Sequence, residues 1–243
     1  MTFETVHIGN ATLYLGDCRN LLDDIRADSL VMDPPYGYNY ASNHTCETTT
    51  AEWMNQTIDG DEDTASRDLL IQWADRKPWA CFGSWKMPKP FGTRSVLIWD
   101  KGPASGMGDL TFPWKGSWEE IYLGGYGWTG SRDEGVIKDH WIVTRKSMGR
   151  THPNEKPVSL LHYILGKLPS GASVFDPFMG SGTTGIAAIQ RGRPFVGVEI
   201  NPGYFDTACK RIRHAWEQSQ NRLFEPEAEP QPDQPKLGLE DAG

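Results

Sequence analysis

The feature that most constrains the fold is a short apolar run, Ala172–Phe175, that leads directly into a glycine-rich segment. Residues 176–185 read DPFMGSGTTG. A strand, a tight turn and a helix start in this order are typical of the carboxyl edge of a parallel sheet, where polar groups face a ligand. Glycines let the backbone approach a ligand without a Cβ, and the first NH groups of the helix at Thr183 can receive a carboxylate. A turn that only packs the helix onto the strand remains an alternative.

An acidic residue follows the next apolar strand at a spacing that suits a nucleotide-like ligand. Glu199 ends the run 194–198, about 20 residues after the glycine-rich turn. An acid at this place accepts hydrogen bonds from ribose hydroxyls in dinucleotide folds. The spacing alone would also permit a nicotinamide cofactor, since a GxGxxG pattern is weak evidence by itself.

A second motif, Asp33-Pro34-Pro35-Tyr36, follows the apolar run Leu30–Met32. Each proline has a fixed φ and lacks an NH, so the nearby carbonyls are held extended and are not used by a helix. A carboxylate beside a backbone carbonyl can accept both protons of an exocyclic amine. The aromatic ring that comes next can stack on the base that carries this amine. A strand-ending turn with a buried tyrosine is the structural alternative.

Short apolar runs alternate with helical stretches along the chain, which predicts an α/β fold with a mainly parallel sheet covered on both faces. We predict seven strands, at 11–15, 29–32, 79–82, 95–99, 120–123, 173–175 and 194–198. Helices are predicted at 18–25, 66–75, 157–168, 183–191 and 202–222. The segments 37–65 and 126–151 resist assignment, and loops of this length are usually functional or disordered.

Length and composition indicate one folded catalytic domain, 1–223, with an acidic tail. The chain has 243 residues and a net charge of −8. Residues 224–243 hold six acids and one base, a net charge of −5, which leaves −3 for the other residues. The tail is rich in Pro, Glu and Gln, so we expect it to be disordered. The first ten residues lack the basic and apolar pattern of a secretory signal, which favours a cytoplasmic location.

Cysteine placement argues against a metal site and against disulfides. Cys18, Cys46, Cys81 and Cys209 are scattered, without the close pairs of a zinc site, so we expect reduced thiols and no metal.

Residues 76–101 form a basic stretch that could follow a phosphate backbone. Six bases stand there against Asp100 alone, and Trp79, Trp85 and Phe91 are interleaved with them. Phosphate charge supplies most of the sequence-independent affinity of nucleic-acid binding. An ordinary solvated surface is the alternative.

On these motifs the chain resembles the DNA methyltransferases that methylate exocyclic amines with S-adenosylmethionine, over about residues 11–215. The segment 33–36 resembles the catalytic motif of that family, and 176–182 resembles its cofactor motif. The resemblance implies a Rossmann-like methyltransferase sheet and a flipped target base. Tyr36 would stack on the base, while Asp33 and the Pro34 carbonyl would hold its amine, beside Pro35. The implied cofactor-binding residues are Asp17, Lys156, Asp176, Phe178, Gly180, Gly182, Thr183 and Glu199.

The order of the two motifs indicates the permuted, beta-type arrangement, because the catalytic motif comes first. The unpermuted family sheet has the strand order 3-2-1-4-5-7-6. The run 11–15 would then serve as strand 3, and the last helix would follow strand 2. Chain ends that lie close together at a surface tolerate such a cut.

The acceptor atom is predicted to be adenine N6, because Asp33 occupies the position where the family's cytosine enzymes tend to have Ser. N4 of cytosine is the first alternative, and a catalytically inactive DNA-binding regulator is the second. A related enzyme that methylates RNA or a protein glutamine is the third, although those enzymes usually place the cofactor motif first. None of the four cysteines lies in a Pro-Cys motif, which argues against carbon-5 cytosine methylation.

Sequence recognition is assigned to a small insert, 126–150, and double-stranded DNA is the expected partner. A restriction-modification context and a homodimer are possible for a family of this kind, and the sequence identifies no cognate nuclease. The residues proposed to contact DNA are Lys86, Lys89, Arg94, Arg132, Lys138, Arg145, Lys146 and Arg150. For any one of them, contact with phosphate or plain surface charge is the alternative to reading a base edge.

Overall fold

The computed structural model describes residues 3–35, 64–102, 111–138 and 156–224. In these ranges the chain forms one nine-stranded sheet with four α-helices. The strands are β1 Glu4–Ile8, β2 Ala11–Leu15, β3 Ser29–Met32, β4 Trp79–Gly83, β5 Thr93–Asp100, β6 Trp118–Gly124, β7 Val136–Lys138, β8 Val174–Asp176 and β9 Phe195–Glu199. The helices are α1 Ala65–Ala74, α2 Val158–Leu165, α3 Thr183–Gln190 and α4 Pro202–Phe224.

The strands lie side by side in the order β1-β2-β9-β8-β3-β4-β6-β5-β7. Within it, β2-β9-β8-β3-β4-β6-β5 has the order 3-2-1-4-5-7-6 if β2 is strand 3, as the resemblance implies. Only β1 and β6 run antiparallel to the other strands of this described sheet. The permuted motif order relative to other family members stays a prediction.

Helices cover both faces, because the buried residues of each central strand alternate between two clusters. In β4, Trp79 and Cys81 belong to the cluster that contains α1, while Ala80 and Phe82 belong to the cluster that contains α2, α3 and α4. This alternation is the period of two expected of a strand buried on both sides. The predicted Rossmann-like α/β class is therefore confirmed.

The prediction of seven strands is wrong, because the described sheet has two more at its edges. β1 is mostly exposed and pairs through its backbone with β2, so its apolar pattern is weak. β7 has three residues and pairs with β5, inside the predicted insert 126–150. Backbone pairing with a neighbouring strand defines both strands, and such pairing is not visible in local sequence.

The predicted helix at 18–25 is also wrong, since only Cys18–Asn20 is helical and the helix is a 3₁₀ turn. The Asp17 side chain accepts the backbone NH of Arg19, which caps this turn. Trp79, one of the aromatic residues in the basic stretch 76–101, is 2% exposed in the core, so it cannot contact a nucleic acid there. Trp85 and Phe91 of the same stretch are exposed.

Three cysteines fall within the described ranges, and each is buried as a free thiol: Cys18, Cys81 and Cys209. Burial raises the pKa of Cys18 to about 12, so its thiol stays protonated. Among the described residues, no helix is both long and apolar enough to cross a membrane. Cys46, the loop 37–63 and the tail 225–243 lie outside the described residues.

Candidate active site

The two sequence motifs meet at the carboxyl edge of the sheet because their strands are neighbours. β3 pairs in parallel with β8, with Leu30 opposite Phe175, so the chain leaves both strands side by side. Asp33 directly follows β3, and Asp176 is the last residue of β8. Of the rest of the first motif, Pro34 is buried and Pro35 is half-buried, while Tyr36 lies outside the described residues. The geometry therefore brings an acidic clamp next to a glycine-rich turn.

The glycines of the turn have two different functions, close helix packing and access for a ligand. A Cβ on Gly185 would lie 2.5 Å from Ile212 Cδ1, and one on Gly182 would lie 3.0 Å from the Ala208 Cβ, so these two allow α3 to pack against α4. A Cβ on Gly180 meets no heavy atom within 4 Å, and its φ is +51°. Gly180 therefore leaves room for a ligand. The packing alternative holds for Gly182 and Gly185 but not for Gly180.

Glu199 ties the glycine turn to the start of the last helix. One of its carboxylate oxygens, Oε2, accepts the Gly180 backbone NH at 2.9 Å, and Oε1 accepts the Asn201 NH at 2.8 Å. Glu199 is 8% exposed. Its predicted contact with ribose hydroxyls stays a prediction, but the structure adds a role that the sequence did not suggest.

Asp176 is buried, and its carboxyl group orders the first turn after β8. Its Oδ1 accepts the backbone NH of Phe178 at 3.0 Å. Burial raises the pKa of Asp176 to about 7, against a hydrogen bond from Thr184 that lowers it, and the negative charges of Asp33 and Glu199 add to the rise. Acids with strongly perturbed pKa values cluster at functional sites.

Asp33 is paired with a buried lysine from the segment before α2. Lys156 Nζ lies 2.9 Å from Asp33 Oδ2 and 3.1 Å from Glu119 Oε2. Burial opposes the charge of Lys156, yet Asp33 and Glu119 raise its pKa well above the ordinary value. The predicted role of Lys156 in cofactor binding is untested. The structure places its ammonium on the catalytic motif.

Asp17, predicted to bind the cofactor, follows β2 at the same sheet edge as Glu199. The Gly16 NH donates to the Glu199 carbonyl at 2.9 Å, which brings the two strand ends together. Hydrogen bonds from Arg19 lower the pKa of Asp17, so it is ionised at neutral pH. Phe178 is half-buried and Thr183 is buried at the start of α3.

The residues proposed to contact DNA do not form one surface. Lys86 follows β4 at the edge that holds Asp33, and Lys138 lies at the carboxyl end of β7. Arg94 lies near the opposite end of β5, roughly 20 Å from Asp100 at about 3.3 Å per residue. There its guanidinium stacks 4.5 Å from the centre of the Tyr126 ring and donates to the Gly125 carbonyl.

Five positions of that prediction remain. Lys89 and Arg132 are exposed on loops. Arg145, Lys146 and Arg150 lie outside the described residues.

Two loops at the catalytic edge combine exposed aromatic rings with lysines. Trp85 is 67% exposed beside Lys86, and Trp114 is 74% exposed beside Lys115. Phe112 lies 5.6 Å from Trp114, centre to centre. Neither 84–92 nor 111–118 contains an acid, although the chain as a whole is acidic.

Sequence reasoning missed Glu119, which contacts Lys156 of the site, and its partner Lys101. Glu119 is on β6 and lies opposite Trp99 of β5, and Lys101 directly follows β5. The two charges pair with each other and so reach Lys156. No local sequence pattern shows a pairing across strands.

The parallel sheet with helices on both faces, an acidic clamp and a glycine-rich turn at one edge define a Rossmann-like methyltransferase fold. The family model described as DNA methylase, N6_N4_Mtase, matches residues 84–210. The chain therefore belongs to the N6_N4_Mtase family of DNA methylases. The matched range contains the glycine turn and Glu199 and begins after Asp33.

Individual relatives agree with this family. The chain is 36% identical over 95 residues to the Type II methyltransferase M.Cfr9I of Citrobacter freundii, a match that covers 36% of this chain and 32% of the relative. It is 47% identical over 62 residues to the DNA adenine methyltransferase YhdJ of Escherichia coli K12, covering 25% of this chain and 21% of the relative. These matches span a third or less of each curated relative.

A solved structure extends the likeness to nearly the whole fold. The crystal structure of the M1.HpyAVI-SAM complex superposes with a TM-score of 0.58 at 21% identity, over 83% of this chain and 99% of that chain. At this identity, the similarity establishes the fold.

Proposed function

We propose that the protein is a DNA methyltransferase that transfers a methyl group from S-adenosylmethionine to the exocyclic N6 of a flipped adenine. The observation that carries the proposal is the placement of Asp33 beside the glycine turn, on neighbouring parallel strands. This arrangement puts an amine acceptor next to a place for a nucleoside-like cofactor. Membership of the DNA methylase family supports the same reaction.

The residues at the glycine turn fit S-adenosylmethionine. The open space at Gly180 admits a ligand close to the backbone, and α3 begins there with NH groups that favour an anion such as the amino acid carboxylate. Two acids lie at the adjoining strand ends: Asp17, which is ionised, and Glu199, which is buried. S-adenosylmethionine supplies an electrophilic methyl group on a sulfonium sulfur.

The catalytic motif would act by positioning and by charge. Asp33 and the Pro34 carbonyl accept the two protons of the amine, which directs the nitrogen lone pair towards the methyl carbon. As the new N–C bond formed and the C–S bond broke, positive charge would develop on the nitrogen, and the Asp33 carboxylate would stabilise it until the nitrogen released a proton to solvent. Tyr36 would stack on the base, which must first leave the duplex at a cost of a few kcal/mol, roughly.

We propose that DNA approaches the edge that carries Trp85, Lys86, Trp114 and Lys115. Basic loops with exposed aromatic rings bind phosphates and unstacked bases together. These loops follow β4 and precede β6, so they lie on one side of Asp33 at the same edge of the sheet. Arg94 is left out of this surface because it lies at the other edge.

Methyl transfer from tritiated S-adenosylmethionine onto DNA, RNA and protein side by side tests the proposal. We expect label on DNA alone, and N6-methyladenine after digestion to nucleosides and mass spectrometry. N4-methylcytosine as the sole product would move the acceptor to cytosine. No transfer to any substrate, with DNA binding intact, would favour a binding-only regulator, and label on RNA or protein would favour the third alternative.

Asp33→Ala is the variant that links the product to the site. It should abolish methyl transfer and leave the affinity for S-adenosylmethionine largely intact, because it removes an acceptor needed mainly in the transition state. Asp206→Ala, an exposed acid on α4, is the control. Loss of cofactor binding in Asp33→Ala with near-normal turnover at saturation would show that the two sites are wrongly assigned.

The cellular setting is also proposed. A restriction-modification role fits the Type II name of the relative M.Cfr9I. A cytoplasmic location in a bacterial or phage-infected cell, a homodimer and a cognate nuclease stay predictions. Light scattering of the purified protein checks the homodimer.

A further inference from the structure

Charged side chains of alternating sign run along the catalytic edge of the sheet, from Asp33 after β3 to Lys101 after β5. Asp33 pairs with Lys156, Lys156 with Glu119, and Glu119 with Lys101. We call this set the Asp33–Lys101 charge chain. Its inner members are well covered, since the side chains of Lys156 and Glu119 are 9% and 20% exposed. The proposed mechanism uses only its first member.

Burial makes the two inner members of the charge chain, Lys156 and Glu119, depend on their neighbours. Burial alone would raise the pKa of Glu119, but the charges of Lys156 and Lys101 lower it below the ordinary value. Removing one partner of a buried pair leaves an uncompensated charge, which is a large penalty. Glu119 and Lys156 are therefore both ionised at neutral pH and held against each other.

Lys156 needs a second anchor to fix Asp33. A lysine ammonium is a compact charge on a flexible four-carbon stem, so a single ion pair leaves it several orientations. Glu119 supplies the second carboxylate at 3.1 Å, and the ammonium lies 5.0 Å from the centre of the Phe82 ring. These contacts come from β6 and β4, which are rigid parts of the sheet.

Glu119 also changes how much of the lysine charge falls on Asp33. The amine becomes positive during transfer, and the Asp33 carboxylate is useful only as far as its negative charge is available to that amine. An ammonium shared between two carboxylates neutralises Asp33 less than an ammonium that has Asp33 alone. Glu119 therefore both fixes the position of the Lys156 ammonium and preserves the negative charge of Asp33.

We propose that Glu119 is a positioning residue for methyl transfer, acting through Lys156 on the Asp33 carboxylate. This inference rests on the proposed function, because it concerns the same reaction. Glu119 touches neither the amine nor the cofactor in this scheme. Its effect should therefore be on the chemical step and not on cofactor binding.

Glu119→Gln tests the inference, with Glu120→Gln as a matched control. Both changes remove one negative charge from β6, but Glu120 contacts the Tyr122 hydroxyl and not Lys156. We expect the single-turnover rate to fall by ~10- to 100-fold in Glu119→Gln, as for a small misplacement of a reacting group. The calorimetric Kd for S-adenosylmethionine should stay close to that of the unaltered protein. Equal rates in the two variants would overturn the proposal.

A double-mutant cycle with Lys156→Met shows whether Glu119 acts through the lysine. We expect Glu119→Gln to have almost no further effect on the rate when Lys156 is already Met. A full, additive loss in the double variant would contradict the inference. Thermal unfolding of each variant confirms that folded protein is compared.

Lys101→Met keeps the proposal testable if Lys156→Met does not fold. It removes the other lysine partner of Glu119, whose side chain is 20% exposed, but leaves the Glu119–Lys156 contact. We expect it to keep most of the rate. A loss as large as that of Glu119→Gln would mean that any break in the buried pairs slows the reaction, and the specific role of Glu119 would be refuted. Absence of transfer by the unaltered protein would instead refute the proposed function.

Discussion

Glu199 should couple cofactor affinity to the order of the glycine turn. Its two carboxylate oxygens accept the NH groups of Gly180 and Asn201 at 2.9 and 2.8 Å. Hydrogen bonds to a charged group contribute about 1.5–3 kcal/mol each, so Glu199→Ala removes about 3–6 kcal/mol of local support. Without these hydrogen bonds the glycine turn is less ordered in the free protein. Cofactor binding must then order the turn, which lowers the affinity.

We therefore expect Glu199→Ala to raise the Kd for S-adenosylmethionine by more than tenfold, which is about 1.4 kcal/mol or more. The rate at saturating cofactor should change much less, because Asp33 and Lys156 are untouched. Calorimetric titration gives the Kd, and methyl-transfer rates give the turnover. Glu217→Ala, an exposed acid on α4, is the control.

Two outcomes would refute this reasoning. A Kd within a factor of about two of the unaltered protein would mean that the carboxylate neither orders the turn nor contacts the cofactor, since that factor is under 0.5 kcal/mol. A loss of turnover at saturation with an unchanged Kd would place Glu199 in the chemical step.

The remaining predictions concern the turn, the buried acid and the DNA surface. Gly180→Ala should weaken cofactor binding, with a stability loss near 1 kcal/mol, roughly the strain of its positive φ. Gly185→Ala should mainly lower stability, by about 1–3 kcal/mol through overpacking. Calorimetry measures the cofactor affinity and urea unfolding measures the stability, and the reverse pattern would contradict this division of roles. The pKa of Asp176 is raised to about 7, so its contribution to stability is lost as pH rises through 7. Asp176→Asn should therefore gain stability relative to the unaltered protein by roughly 3 kcal/mol between pH 5 and pH 8, and a constant difference in urea unfolding would count against it. Lys86→Ala should reduce the salt slope of DNA binding by about 1, while Arg94→Ala should leave it unchanged; filter binding over a salt series would expose an equal effect of both.

How far the sequence predicts the fold is clearest at the central strands. The runs 29–32 and 11–15 are strands with the predicted bounds, and α3 begins at Thr183 as predicted. These segments have strong local patterns, an apolar run that ends in a turn or a capped helix. β1 and β7 have no such pattern, because pairing with β2 and β5 defines them. The 3₁₀ turn at Cys18–Asn20 shows the same limit, since the Asp17 side chain and later turns override an apparent helical pattern.

For the site, the sequence by itself determined the chemistry of the two motifs and their order along the chain. An acid with two prolines, and a glycine turn after a strand, carry local constraints on backbone geometry that any fold must respect. Tertiary structure decided which charges meet. Glu119 and Lys101 come from different places in the chain, and the antiparallel pairing of β5 and β6 brings them together, with Glu119 also in contact with Lys156. It also moved Arg94 to the far edge and buried Trp79. Ion pairs and burial depend on distances between segments, which a linear pattern does not contain.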